Sequence, residues 1–299
     1  MGVARKRCWD ADWVIDLDIK AFFDSLDHEL VERAVAHHTD IPWVRLYVAR
    51  WLRAPVQRPD GTQEPRARGT PQGGVLSPLL ANLFLHYAFD VWMKRTNPSC
   101  PFARYADDAV AHCRSEAEAK QLLAAIEERL KECRLELHPE KSGIVYCKDS
   151  TRRKDYPKTS FTFLGYEFRP RSAKRRDGTV WTSFLPAISA SAMKRIRQAI
   201  REWNLPRQTS VGLNELAKRY NAQIRGWMNY YSHFYKSALC QLYDHLDWKL
   251  MQWARRKYRK VTGTTRARGW LKKVIGRQPR LFVHWLAHGR VAVRTMGAV

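Results

Sequence analysis

The run Phe102-Ala103-Arg104-Tyr105-Ala106-Asp107-Asp108-Ala109-Val110-Ala111 sets two adjacent carboxylates between short apolar flanks. Apolar segments on either side of a brief polar break read as a strand, a tight turn and a second strand. Two anions held side by side in an apolar setting repel each other unless a cation neutralises them. Oxygen ligands alone favour a hard ion such as Mg²⁺ over zinc. An Asp-Asp pair taken singly is more often a solvated surface turn, so its meaning depends on the segments around it.

Upstream lies Val14-Ile15-Asp16-Leu17-Asp18-Ile19-Lys20-Ala21-Phe22-Phe23-Asp24, an apolar strand with Asp18 near its end and two aromatics just beyond. Between the acidic sites runs Arg68-Gly69-Thr70-Pro71-Gln72-Gly73-Gly74-Val75-Leu76-Ser77-Pro78. Its glycines permit close backbone approach, and Ser77-Pro78 reads as a helix start with a cap and a first-turn proline. Downstream come Leu135-Glu136-Leu137-His138-Pro139-Glu140-Lys141-Ser142 and Phe161-Thr162-Phe163-Leu164-Gly165-Tyr166. These five blocks, in this order, resemble the palm of a reverse transcriptase, and specifically those encoded by bacterial group II introns.

The resemblance implies an α+β fold: a split βαβ, ferredoxin-like sheet followed by an all-helical thumb and maturase region. It implies that Asp18, Asp107 and Asp108 hold catalytic metal, with the Ile19 carbonyl as a further ligand. Mg²⁺ is the implied cofactor, with Mn²⁺ as the alternative ion. Asp16 competes with Asp18 for the metal role, but the D-I-K-x-F-F-D register selects Asp18 and leaves Asp16 structural. Phe23 matches the aromatic that excludes a 2′ hydroxyl, and Phe22 is a core residue. Gln72 and Gly73 match the loop against the incoming nucleotide. Lys141 matches a lysine near the triphosphate, a candidate general acid. Leu164 and Gly165 match the turn under the primer end. His86 and His138 have no ligand-like spacing and read as structural.

Charge divides the chain. Residues 1–150 carry 21 Lys+Arg against 22 Asp+Glu, and residues 151–299 carry 32 against 7. The basic half points to a polyanion, most simply nucleic acid. Six cysteines without a C-x-x-C pair argue against a structural zinc site and a disulfide framework, and fit a reducing cytoplasm. No apolar run is long enough to span a membrane, and no secretory signal opens the chain.

Coarse patterning places a helix from Asp27 to about His37, and a second after Pro42 carrying Val44, Tyr47, Val48, Trp51 and Leu52. A hairpin turning at Pro59-Asp60-Gly61 comes next, then a buried helix from Ser77 to Met93. Ser115 to Glu118 reads as a capping box. The expected domains are a palm over residues 1–170, a basic linker or hairpin over 171–188, and a helical region over 189–299. There, Tyr220, Ile224, Trp227, Tyr230, Tyr231, Phe234 and Tyr235 form a stripe at helical spacing, which is more often core than stacking platform. The segments around Arg225-Gly226-Trp227, Leu246-Asp247-Trp248, Arg255-Arg256-Lys257 and Phe282-Val283-His284-Trp285 resemble the maturase region, called domain X. Arg225, Arg255, Arg256 and Lys257 are its candidate RNA contacts.

Family members carry fingers blocks ahead of the Asp18 strand, and about a dozen residues precede it here. Three explanations stay open: a truncated element, a wrongly chosen start, or one half of a split protein completed by a partner chain. Such a chain is expected to bind RNA, to extend a primer poorly, and to leave one face of the palm sheet as a bare apolar patch. The expected partners are intron RNA as template, a DNA primer and deoxynucleoside triphosphates. Two rivals stand beside this reading: a non-catalytic RNA-binding splicing factor or inactive remnant, and the reverse transcriptase of another retroelement such as a retron. Oligomeric state is not legible.

Overall fold

The computed structural model describes residues 1–57, 59–71, 73–174 and 177–287. Helix α1 (Gly2–Asp10) leads into β1 (Trp13–Leu17), followed by α2 (Phe22–Ser25), α3 (His28–Ala36) and α4 (Pro42–Arg53). Strands β2 (Val56–Gln57) and β3 (Gln63–Glu64) form the small hairpin expected around Asp60-Gly61. Next come α5 (Ser77–Leu85), a π turn (His86–Asp90), α6 (Val91–Thr96), β4 (Phe102–Tyr105), β5 (Asp108–Cys113), α7 (Glu116–Glu132) and β6 (Gly143–Tyr146).

Strand order is β4-β5-β1-β6, with each neighbouring pair antiparallel. Strand β5 is thus inserted between β1 and β4, which run parallel to each other. That is the split βαβ arrangement, and the α+β expectation holds. Register explains how one sheet serves both core and site. Trp13 pairs with Cys113, Ile15 with Ala111 and Leu17 with Ala109, and all six are buried in the main hydrophobic cluster under the helices. The alternate residues Val14, Asp16, His112 and Val110 face the other way, as the period of two in a strand demands.

That second face is not the bare apolar patch expected from sequence. Helix α1 packs against it, with Cys8 Sγ 3.6 Å from His112 Nε2, and Val14, Val110 and His112 are buried. Exposed apolar side chains gather on α4, among other places: Trp43, Leu46, Tyr47 and Trp51 are each more than 45% exposed. Two further expectations change. Ser77 does not cap α5; Leu76 occupies the cap position, and Ser77 Oγ donates to the Pro71 carbonyl at 2.7 Å. The helix expected from Ser77 to Met93 is interrupted by the π turn and runs on to Thr96.

Beyond the palm, β7 (Phe161–Phe163), β8 (Tyr166–Lys174) and β9 (Val180–Ile188) form a three-stranded sheet in that order. The stretch expected as a linker or hairpin is therefore a hairpin of two long strands. The chain divides into two compact units: residues 1–164 with 169–184, and residues 165–168 with 185 onward. The second unit continues with α8 (Ala190–Glu202), α9 (Leu213–Tyr231), α10 (Cys240–Lys257) and α11 (Gly263–Arg277). Its core brings together segments far apart in sequence. Buried Asp247 on α10 accepts from His284 Nε2 at 3.0 Å and Trp285 Nε1 at 2.8 Å. Asn221 on α9 clasps the same tail, donating to the Leu281 carbonyl and accepting from the Val283 amide. Within the aromatic stripe, Ile224 and Tyr231 are buried, whereas Tyr230 is 45% exposed. Trp203 stacks against both Tyr220 and Trp227, with centroids 4.2 and 5.5 Å away.

Candidate active site

Strands β1 and β5 carry the acidic residues to one place. Their register ends at Leu17 opposite Ala109; carried one step further, it sets Asp18 opposite Asp108. Asp16 lies two residues back on the same face. The tip between β4 and β5 is a two-residue turn, closed by the pair Tyr105 and Asp108. Ala106 enters it with φ 54°, a left-handed conformation that costs a non-glycine residue on the order of 1 kcal/mol or more. Arg104 holds that conformation. Its guanidinium donates to the Ala106 carbonyl at 2.8 Å, to Asn82 Oδ1 at 3.1 Å, and to both Asp90 oxygens at 2.7 and 2.5 Å.

The other sequence blocks close around this tip. The Asp18 amide donates to Ser142 Oγ at 3.0 Å, and Ser142 Oγ and the His138 amide both donate to the Asp18 carbonyl. Ile19 bridges to Leu137. Lys141 Nζ sits 3.5 Å from Asp18 Oδ2, so the expected lysine does reach the site. The Leu164 amide donates to Asp108 Oδ2 at 3.2 Å. Leu164 and Gly165 both have positive φ, as a tight two-residue hairpin turn requires. The glycine-rich block docks on the aromatics: the Thr70 amide donates to the Phe23 carbonyl and the Gly69 amide to the Leu26 carbonyl, both at 2.7 Å. A Cβ on Gly69 would lie 2.7 Å from the Asp24 carbonyl oxygen, which explains glycine there. Phe22 is buried as expected, while Phe23 is half-buried on the edge of the core. Gly73 is exposed, at φ 88°. Gln72 lies outside the described residues.

Electrostatics marks the cluster as short of positive charge. Burial pushes the Asp108 carboxyl up to about 6; the Leu164 amide opposes this, and the charges of Asp107 and Asp18 add to it. Asp16 is pushed up to about 7 by burial, eased by Lys158 and raised further by Asp108 and Asp18. Lys158 Nζ lies 3.8 Å from Asp16 Oδ2. Asp16 is thus a member of the acidic cluster, where the motif register alone makes it merely structural. A signal for this exists in the sequence: Asp16 and Asp18 are two apart on a strand and share a face. Arg104 and Ser142, which hold the turn and the Asp18 backbone, carry no sequence signal of those roles.

The donor set fits a hard dication. Every side-chain ligand offered by Asp18, Asp107 and Asp108 is a carboxylate oxygen, and burial with neighbouring acidic charge raises the Asp108 carboxyl.

A family model described as reverse transcriptase (RNA-dependent DNA polymerase) matches residues 4–168, more than half of the chain. The chain belongs to the reverse transcriptase family. A second model, the group II intron maturase-specific domain, matches residues 193–274. Protein YkfC of Escherichia coli K12 is 27% identical over 54% of this chain and 48% of its own length. The group II intron-encoded protein LtrA of Lactococcus lactis subsp. cremoris is 23% identical over 74% of this chain and 49% of its own. The chain spans about half the length of these curated relatives. Apo telomerase from Candida tropicalis, truncated from its C-terminal domain, aligns over 56% of this chain and 38% of that one, at TM-score 0.45 and 13% identity. Together the two family models make this a group II intron-type reverse transcriptase with a maturase-specific region. Reverse transcriptases depend on divalent metal and bind a nucleic acid template. No helix among the described residues is long and apolar enough to cross a membrane.

Proposed function

We propose that the chain polymerises DNA on an RNA template at the Asp18, Asp107 and Asp108 cluster, and that its second unit holds intron RNA as a maturase. The observation that carries the first half is the register of β1 and β5, which sets Asp18 opposite Asp108 beside the Asp107 turn. Mg²⁺ is the ion these carboxylates would hold, with the Ile19 carbonyl beside Asp18. Ions held there would supply the positive charge that neutralises the oxygens developing negative charge in nucleotidyl transfer. The chain's own residues do the rest. Ser142 and His138 fix the Asp18 backbone, Arg104 fixes the turn, and the Leu164 amide orients Asp108. Lys141 is half-free in solvent beside Asp18, able to pair with triphosphate oxygens and to hand a proton to the leaving group. Phe23, backed by Phe22, presents an edge against the sugar of an incoming deoxynucleotide, and Gly73 lets the adjoining loop approach it without a side chain.

The maturase half rests on charge and lining. Arg255 and Arg256 are exposed on the last turn of α10 and border a cavity of about 420 Å³ with Thr262 and Gly263 at the start of α11. Arg225 is exposed on α9. Lys257 is committed within the unit, donating to the carbonyls of Thr209 and Val211, so its RNA role is the weaker of the four.

The test is primer extension on an RNA template, with the chain alone and with the upstream segment of a relative fused to it. Extension should require divalent ion, and Asp107→Asn should abolish it while leaving RNA affinity within about twofold. Undiminished extension by the variant would contradict the assignment. RNA binding without extension in either form would favour the splicing-factor reading.

A further inference from the structure

A second group of metal-ligating side chains lies at the far end of the catalytic hairpin. Cys100 sits just ahead of β4, Cys113 ends β5, and Glu118 is in the first turn of α7. Cys100 Sγ is 3.3 Å from Glu118 Oε1 and 4.0 Å from Cys113 Sγ, and all three donor atoms lie within 4.8 Å of one another. Both thiols are buried. We propose that Cys100, Cys113 and Glu118 form a structural zinc site.

The spacing is that of ligands around one ion. Zinc bound at about 2.3 Å to sulfur and about 2.0–2.2 Å to oxygen spaces tetrahedral ligands roughly 3.8 Å apart for sulfur pairs and roughly 3.6 Å for sulfur and oxygen. The observed 4.0 and 3.3 Å match to a few tenths of an ångström, within reach of side-chain rotation. Glu118 is already aimed. Its Oε2 accepts from the Arg114 amide at 2.7 Å and its own amide donates to Ser115 Oγ at 3.2 Å, which leaves Oε1 turned to the thiols. This capping box does for the ligand what an outer hydrogen bond does in metalloproteins. Ser99 Oγ lies beside the three ligands, 3.5 Å from Glu118 Oε1 and 3.8 Å from Cys100 Sγ. Cys100 also borders a cavity of about 510 Å³, together with Asn97 and Pro98.

The chemistry suits a thiophilic dication rather than Mg²⁺. A free thiol is largely protonated at neutral pH and must lose its proton to bind a metal. Binding replaces two S–H bonds by two metal–sulfur bonds, and two protons per ion go to solvent. Two thiolates and one carboxylate then carry three negative charges against the ion's two positive ones. The consequence is local: the ion would tie the base of the hairpin whose other end is the Ala106-Asp107 turn. Sequence spacing does not show the site, because Cys100 and Cys113 meet only once β4 and β5 pair.

The experiment strips the full chain with a chelator under reducing conditions and titrates it with Co²⁺. One equivalent should give tetrahedral visible bands and a thiolate-to-cobalt charge-transfer band, release two protons, and be bleached by Zn²⁺ but not by Mg²⁺. C100S and C113S should each lose the charge-transfer band. E118Q should keep it with affinity lowered roughly tenfold or more. Replacing the other buried thiols, as C8S with C147S, should change nothing. Circular dichroism of each variant checks that it folds; should the cysteine variants fail, E118Q and the proton count on the unaltered chain still decide. No bands, bands that survive C100S and C113S, proton release other than two, or a Cys100–Cys113 disulfide under the same reductant would each overturn the proposal.

Discussion

At the scale of single residues, the site is defined by where charge is uncomfortable. Asp16 and Asp108 are held neutral to unusually high pH, about 7 and about 6, by burial first and by their acidic neighbours after it. Because the folded-state values are raised, this contribution to stability is complete below about pH 4 and is lost as pH rises through 6 and then 7. In a chelator, the melting temperature should therefore fall between pH 5 and pH 8. Asp16→Asn should flatten that fall and stabilise the chain at pH 8 by on the order of 1–2 kcal/mol. Differential scanning calorimetry across the range checks both; a variant as pH-sensitive as the parent would remove Asp16 from the cluster. Thr70 contributes differently: it is buried, and its amide rather than its hydroxyl does the bonding, to the Phe23 carbonyl.

At the scale of elements, one side chain links three of them. Arg104 on β4 reaches Asn82 on α5, Asp90 in the π turn and the Ala106 carbonyl at the tip, and both charged partners are largely buried. Arg104→Ala should cost about 3 kcal/mol, since it strands Asp90 without its cation. Adding Asp90→Ala should recover part of that loss, which urea denaturation of the two single variants and the double can measure. Strictly additive costs would mean the pair is not coupled. These elements also show what sequence can deliver. Helix α3 with its Asp27 cap, helix α7 with its Ser115 cap and the Asp60-Gly61 hairpin are legible because cap and turn chemistry is local. The acidic cluster of Asp18, Asp107 and Asp108 is legible because the ordered blocks are distinctive. The π turn, the α1 cover over the sheet and the Arg104 brace are not, because each depends on partners distant in the chain. The Ser77 cap fails for the same reason: the hydroxyl finds a stronger use across the loop, on Pro71.

At the scale of the whole molecule, charge is divided unevenly along the chain. The basic residues concentrate in 151–299, and Arg255 and Arg256 stand exposed there. Replacing both by Ala should weaken binding to structured RNA and reduce the slope of log affinity against log salt by up to about 1.8, roughly 0.9 for each phosphate no longer neutralised. An unchanged slope in filter-binding titrations would place the RNA elsewhere. The near-neutral half makes the sharper claim, that blocks spread from Asp18 to Ser142 fold into one site for a hard dication. Iron(II) bound there, with ascorbate and peroxide, should cut the backbone of the full chain near Asp18, near Asp107 and near Ser142 at once. Excess Mg²⁺ should suppress all three cuts together, and Asp18→Asn with Asp107→Asn should abolish them. Cuts that ignore Mg²⁺, or that persist in the double variant, would contradict the account.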